Sequence, residues 1–315
     1  MFKILVITDG KLSSLNQCNS IINELKIAKK VKLKYIKIKK SFFHFFPNSF
    51  IYLKLLFQLF LGWSIKKEKI NLIVSCGRIA APYNLIFKKV YHCKNLHILN
   101  PYFKKEEFSK IIIPKYDSPK FLNKNNLILT LGTLVDRSKI DLKKKKHLNI
   151  SKLFKKNYKI VLFLIGGNGK SSKILFSDLK TTIQKINKEK KVEIVYCFSR
   201  RTPQSIKNQV IEYKKKNSLV FPKKLFNPYW DLINIADFIF VTADSVSMTS
   251  DALTTGKPTY IIPIYKLKQK IKDFQTGLEK KKITRIYNQK LSIWKYRKFE
   301  ESKIVGEQIK KILNF

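Results

Sequence analysis

Short, almost wholly apolar runs recur along this chain. Each closes on a turn rich in glycine, hydroxyl or charged residues, and each is followed by an amphipathic stretch. Phe2–Thr8 runs into Asp9-Gly10-Lys11, and 71–75 into Cys76-Gly77-Arg78. Lys159–Ile165 runs into Gly166-Gly167-Asn168-Gly169-Lys170, and 192–197 into Ser199-Arg200-Arg201-Thr202-Pro203. Phe238–Thr242 runs into Ala243-Asp244-Ser245. A strand that is apolar on both faces must be covered on both faces, as in parallel sheets with crossover helices. The further runs 32–38, 96–99, Lys110–Pro114, 127–131 and 259–263 read as strands too. Helices are expected at 13–29, from about 80, and at 177–188, 204–214, 244–255 and 300–313. The expected class is α/β, with doubly wound Rossmann-like domains.

The rhythm restarts once. A charged stretch at 141–157, with Lys143 to Lys146 at its heart, reads as a connector, and Lys159–Ile165 opens a fresh cycle. A length of 315 residues suits two domains. They are drawn as an N-terminal domain over 1–145, a C-terminal domain over 146–295 and a terminal helix over 296–315.

The formal net charge is +44, from 65 Lys+Arg against 21 Asp+Glu. Such a surplus suits an anionic partner, nucleic acid or acidic lipid. Yet lysine, asparagine, isoleucine and phenylalanine are abundant throughout and arginine is scarce, the skew of an AT-rich genome. The charge is also spread along the chain and not gathered into an arm, so nucleic acid is not the expected partner. Cys18, Cys76, Cys93 and Cys197 stand far apart with no C-x-x-C. His44, His92, His97 and His147 are the only histidines, so no metal is expected. Reduced thiols point to the cytoplasm. The opening apolar run is too short for a signal peptide.

One segment breaks the rhythm. Residues 42–63 carry a dense set of phenylalanines and leucines, interrupted by Pro47-Asn48-Ser49 and bearing Lys54 and Gln58. Lys37, Lys39 and Lys40 precede it, and Lys66, Lys67 and Lys69 follow. A spanning helix needs about 20 predominantly apolar residues, so this is the weaker reading. A core-covering helix and an interfacial helix drawn to acidic headgroups both stay open.

The loops at strand ends carry the chemistry, since open α/β sheets bind ligands at the carboxyl ends of their strands. Gly166 and Gly167 let backbone N–H groups approach phosphate oxygens, although an ordinary strand-to-helix turn needs no ligand. Arg200 and Arg201, side by side between Ser199 and Thr202 in a lysine-dominated chain, suit a planar bidentate grip on a diphosphate. Asp244, Ser245, Ser247 and Met248 open a helix, where hydroxyls either cap it or hold an anion at its positive end. Asp251 lies within that helix, placed to accept from ribose hydroxyls. In the first half, Asp9 and Asp117 are candidates for a general base, or merely cap a turn.

Taken in order, several motifs resemble the mitochondrial fission (elongated-mitochondria) family, whose bacterial relatives are described as glycosyltransferases. The matching residues are Thr8-Asp9-Gly10-Lys11 with Asn16-Gln17, Val74-Ser75-Cys76-Gly77-Arg78, Pro114 with Asp117, and Gly166-Gly167. They continue with Ser199 to Pro203, Asn227-Pro228-Tyr229 and Val241 to Met248. The resemblance covers nearly the whole chain. It implies a GT-B-like fold, two Rossmann-like domains facing a cleft, with the terminal helix returning to the first. It also implies that the donor sits mainly in the C-terminal domain and that no metal is required. It places Gly10, Lys11, Asn16, Gln17, Gly77 and Arg78 among the substrate-binding residues. Departures leave the base open. The family's Pro-Gly-His after the first lysine is Leu12-Ser13-Ser14 here, its glutamate after the serine motif is Asp251, and its histidine before Asp117 is Tyr116.

The expected function is therefore transfer of a sugar from a nucleoside-diphosphate sugar to a cell-envelope acceptor, such as a glycolipid. It needs no cofactor, Asp9 stands ahead of Asp117 as base, and peripheral contact with the inner membrane face is expected. A non-catalytic membrane-associated adaptor and a nucleotide-sugar epimerase are the alternatives.

Overall fold

In this computed structural model the residues described are 1–28, 30–39, 41–65, 68–118, 124–140, 150, 152–222 and 227–314. They form two compact units, Met1–Asp136 with Glu300–Phe315, and Arg137–Phe299. The stretch expected to connect two domains, 141–157, falls largely outside the described residues.

The first unit opens with β1 (Phe2–Thr8), α1 (Leu12–Ala28), β2 (Val31–Lys37), α2 (Asn48–Phe60) and β3 (Leu72–Cys76). It continues with α3 (Ala80–Tyr91), β4 (Lys94–Ile98), β5 (Lys110–Pro114) and β6 (Leu127–Thr130). The strands make one parallel sheet in the order β2-β1-β3-β4-β5-β6. Ile4, Val6, Leu72 and Val74 face α1, whose Ile21, Ile22 and Leu25 are buried against them. Leu5, Ile7 and Ile73 face the other way, toward Ala80 and Phe87 of α3. That two-sided burial is why these strands read as unbroken apolar runs.

The second unit comprises β7 (Lys159–Ile165), β8 (Ser172–Lys173), α4 (Phe176–Asn187), β9 (Val192–Phe198), α5 (Gln204–Tyr213) and β10 (Leu219–Phe221). Then follow α6 (Tyr229–Ile235), β11 (Phe238–Thr242), α7 (Val246–Thr254), β12 (Thr259–Ile262), β13 (Lys266–Leu267) and α8 (Gln269–Lys280). Its five-stranded parallel sheet has the order β10-β9-β7-β11-β12, while β8 and β13 form a separate antiparallel ribbon. Across four neighbouring strands the rings of Tyr196, Phe163, Phe240 and Tyr260 stack in a row, with centroids 5.0, 4.9 and 4.8 Å apart. The register sets each ring opposite the next. Offset stacking adds about 0.5–1.5 kcal/mol per pair beyond area burial, so this row stiffens the sheet beneath its loops.

The last helix, α9 (Glu301–Leu313), belongs to the first unit. Val305 and Ile309 join the core around α1, and Gly306 lies against Glu24, where a Cβ would come within 2.7 Å of the glutamate side chain.

The core-covering reading of residues 42–63 holds for one face of α2. Ile51, Tyr52 and Leu55 of α2 are buried against Leu85 and Ile86 of α3, whereas Phe50, Leu53, Phe57 and Phe60 are exposed.

Candidate active site at the strand ends of the second unit

In each sheet the strand order reverses once. In the first unit the chain winds one way from β1 to β2 and the other way through β3. In the second it winds one way from β7 to β9 and the other way through β11. The crevice outside the carboxyl ends at such a switch point is where open α/β sheets take ligands.

At the second unit's switch point the loop after β7 meets the loop after β11. The Gly166 N–H donates to the Thr242 hydroxyl at 2.8 Å, and the Gly167 N–H donates to Asp244 Oδ2 at 2.9 Å. Thr242 in turn donates to Asp244 Oδ1 at 2.7 Å. The loop after β9 closes on the same point. Thr202 donates its hydroxyl to the Ile165 carbonyl at 3.0 Å, the Asn168 N–H donates to the Arg201 carbonyl at 3.2 Å, and Arg201 Nη2 reaches Asp244 Oδ2 at 3.4 Å. Glycine is required here for closeness. A Cβ on Gly166 would fall 2.1 Å from the Asp244 carboxylate, and one on Gly167 2.1 Å from the Arg201 carbonyl oxygen.

Gly166, Gly167, Arg201, Thr202 and Asp244, picked out from the sequence, therefore converge. Their division of labour is more structural than expected. Asp244 is buried and occupied as the post to which two loops are tied. Burial pushes its carboxyl up, against the opposing pull of the Thr242 hydroxyl, the Gly167 N–H and the Arg201 guanidinium. Ser199 turns inward, its hydroxyl 3.1 Å from that of Thr202 and accepting from the Arg201 N–H at 3.1 Å. Arg200 is exposed.

Ser245 is buried and caps α7, its Oγ accepting from the Met248 N–H at 3.3 Å. Ser247 is exposed in the first turn. The first turn of α7 opens at the switch point, where the positive end of the helix dipole lies. Asp251, half-buried one turn further on, accepts from the Tyr229 hydroxyl at 2.7 Å. Burial lifts its carboxyl to about 7, although the Tyr229 hydroxyl and the Lys139 charge pull the other way.

Sequence reasoning missed three contributors here. Thr242 was counted only as a strand end. Tyr229 was quoted in a motif and given no role. Gln275 of α8 donates its amide to the Ala243 carbonyl at 3.0 Å and to Thr249 Oγ1 at 3.3 Å, holding the loop from beneath, while its Oε1 is buried without a partner. A cavity of about 280 Å³ opens beside it, lined among others by Ala243, Pro263, Lys272, Thr284 and Arg285. A polar residue buried among Ile271, Phe274 and Leu278 was the available signal.

At the first unit's switch point Gly77, with φ +89°, brings its backbone beside Asp9 and Ser14. A left-handed turn at that spot suits glycine. Burial would raise the Asp9 carboxyl, but the Lys11 ammonium at 2.5 Å, the Ser14 hydroxyl and the Lys11 N–H outweigh it and hold Asp9 below its usual value. Gly10 and Lys11 are exposed and Asn16 is half-buried. Gln17 is buried and donates to Cys76 Sγ at 3.9 Å. Arg78 serves the fold: its guanidinium donates to the carbonyls of His44 and of Phe46 (3.0 Å) and to Asn48 Oδ1 (3.3 Å). Asp117 ends a short 3-10 turn, Lys115–Asp117. Among the described residues no three His, Cys, Asp or Glu side chains are grouped to hold a metal ion, and no helix is long and apolar enough to cross a membrane.

Over residues 14–313 the chain matches the family profile described as Mitochondrial fission ELM1. It is 30% identical over 290 residues to the uncharacterized protein RP120 of Rickettsia prowazekii (strain Madrid E), covering 78% of this chain and 80% of that protein. It is 41% identical over 61 residues to the mitochondrial fission protein ELM1 of Arabidopsis thaliana, 19% of this chain and 14% of the plant protein. Among solved structures it is similar to UDP-GlcNAc 2-epimerase from Methanocaldococcus jannaschii, at 12% identity and TM-score 0.63, covering 100% of this chain and 99% of the other. It is also similar to S. aureus MnaA in a co-structure with UDP, at 14% identity and TM-score 0.56, covering 100% and 97%. A third similar structure is the glycotransferase of kitacinnamycin, at 10% identity and TM-score 0.56, covering 98% and 90%. The architecture is thus that of GT-B glycosyltransferases and epimerases.

Proposed function

The chain belongs to the mitochondrial fission ELM1 family, and from that premise we propose that it is a GT-B-type glycosyltransferase using a nucleoside-diphosphate sugar. One observation carries the reading: the loops after β7, β9 and β11 converge at the switch point of the second unit, bringing Arg201 and the N-terminus of α7 to one place. A diphosphate is the ligand such a place suits. Two guanidiniums, Arg200 and Arg201, and the first-turn N–H groups beside Ser245 and Ser247 supply fixed positive charge where a leaving group gains negative charge. That donor set takes over the task a divalent cation performs elsewhere, so the transfer is metal-independent and needs no cofactor. Asp251 accepts from the ribose. UDP is bound in the MnaA co-structure, which favours a uridine nucleotide among the donors.

In the reaction the acceptor hydroxyl attacks the anomeric carbon as the bond to the diphosphate oxygen breaks. Asp9 takes the hydroxyl proton, with Asp117 as the other candidate. The acceptor is a glycolipid of the cell envelope, met at the inner face of the membrane.

The first test is a thermal melt with UDP. At a hundredfold excess over Kd, binding stabilises by about 2.7 kcal/mol, which raises Tm by roughly 5–10 °C for a unit of this size. An unchanged Tm at millimolar UDP refutes the reading. One of the similar structures is a UDP-GlcNAc 2-epimerase, which favours an epimerase as second reading. Conversion of a UDP-sugar with no acceptor present would establish it.

A further inference from the structure

The exposed apolar residues of the first unit are densest on α2 and the turns that flank it. Along α2, Phe50, Leu53, Phe57 and Phe60 are 60%, 61%, 59% and 85% exposed. Their spacing of three, four and three residues sets them on one helical stripe. The turn before the helix adds Phe42 at 72% and Phe45 at 86%. Single exposed apolar residues are ordinary, whereas a contiguous set marks a contact surface.

The surface is built to hold its shape. The opposite face of α2 is buried through Ile51, Tyr52 and Leu55. The Arg78 guanidinium clamps the carbonyls of His44 and Phe46, and the Asn48 amide donates to the carbonyls of Arg78 and Pro101, both at 2.8 Å. Lys54, on the helix itself, rests its ammonium 3.2 Å from the centroid of the Phe43 ring.

Charge identifies the occupant. Between Leu25 and Lys67 the sequence holds eleven lysines and no aspartate or glutamate. Lys34 is answered by Glu68, but a second copy of the chain would still bring one lysine-rich segment against another, and like charges across an interface oppose association. A bilayer carrying acidic lipids offers both things the face lacks: hydrocarbon for the phenylalanines and negative headgroups for the lysines. The helix has 13 residues, so at 1.5 Å per residue it is about 20 Å long, short of the ~30 Å hydrocarbon layer. It lies along the surface and does not cross it.

We propose that the outer stripe of α2, with the Phe42–Phe45 turn, is a preformed docking surface for an anionic membrane. This deepens the reading above by locating where the enzyme meets its lipid-borne acceptor. It rests on that reading only for the acceptor, since docking requires no nucleotide.

The test is vesicle flotation of the full chain without nucleotide. Vesicles of phosphatidylcholine mixed with phosphatidylglycerol should carry the protein up, and vesicles of phosphatidylcholine alone should carry far less. Molar salt should weaken the capture, because screening contracts to about 3 Å. The double variant F45E/F60E should lose at least about tenfold in partitioning while melting like the parent, because both side chains are already in solvent. F57W should shift its fluorescence to the blue on adding the mixed vesicles. The proposal is overturned if the parent stays unbound to the mixed vesicles, or if F45E/F60E floats equally well. It is overturned too if sedimentation shows a dimer that F45E/F60E dissolves, which would make the face a contact between copies. Failure here with a normal UDP-induced rise in Tm would leave the nucleotide reading standing.

Discussion

Substituting Gly167→Ala tests the convergence of the three loops more sharply than any charge change. The new methyl would sit 2.1 Å from the Arg201 carbonyl oxygen, 2.2 Å from its carbon and 2.5 Å from the Thr202 nitrogen. All three are backbone atoms, so no side chain can swing aside. The loops must part by more than an ångström to reach ordinary contact. Parting them stretches the Asn168-to-Arg201 hydrogen bond and draws the Gly167 N–H away from the buried Asp244 carboxylate. Overpacking of this kind costs about 1–3 kcal/mol, and withdrawing a donor from a buried charged group adds roughly 1.5–3 kcal/mol. The sum is about 2.5–6 kcal/mol, which lowers Tm by approximately 5–24 °C for a unit of this length. The assay is a calorimetric melt of the full chain, in which the transition of the second unit moves and that of the first stays. Gly277→Ala is the control. It sits in α8 with nothing within 4 Å of a new Cβ, and relieving a helical glycine should stabilise by about 0.5–1 kcal/mol. If G167A melts within a degree of the parent, the two loops are not packed together and the site built on them dissolves.

Other outcomes follow from the same geometry. Asp251, lifted to about 7 by burial, holds its proton more tightly folded than unfolded, so the folded state binds more protons between about pH 4 and 7. Its contribution to stability is therefore present below pH 4, fades as pH rises toward 7 and is flat above. D251N should be more stable than the parent at pH 8, by a margin that shrinks at pH 5 in urea titrations; equal margins at both pH values refute the assignment. Lys11→Ala removes the ammonium that depresses Asp9, so the acid limb of turnover should move to higher pH; an unmoved limb removes Asp9 as the base. Arg78→Ala abandons the carbonyls of His44 and Phe46 and should cost about 1–3 kcal/mol, read as a lower denaturation midpoint, with UDP affinity unchanged.

The legible part of this protein was its sheets. Strands buried on two sides announce themselves as apolar runs, and Phe2–Thr8, Lys110–Pro114, Lys159–Ile165 and Phe238–Thr242 fall where those runs fall. The short edge strand Leu219–Phe221 and the ribbon of β8 and β13 were not legible, because three residues or fewer carry no period to detect. Helix α8 was hidden by its lysines, although Ile271, Phe274, Gln275 and Leu278 repeat at helical spacing. At the site, residue types pointed to the right loops and could not reveal their partners. Whether Asp244 faces a ligand or a neighbouring N–H depends on the approach of Gly167, separated from it by 77 positions in sequence. Arg78 shows the same limit, since a guanidinium suits a phosphate as well as it suits two backbone carbonyls and an amide oxygen, until the fold brings one of them near.

The seam of the first unit lies in the order of synthesis. Its core around α1 is completed by Val305 and Ile309, which leave the ribosome only after all of Arg137–Phe299 has been made. The second unit, continuous in the chain, can finish folding while the first still waits with Ile21, Ile22 and Leu25 uncovered. The earlier half of the polypeptide is thus the later to mature. Translation that stalls before residue 300 would release a molecule with a sound second unit and an open, sticky first one, a natural client for chaperones.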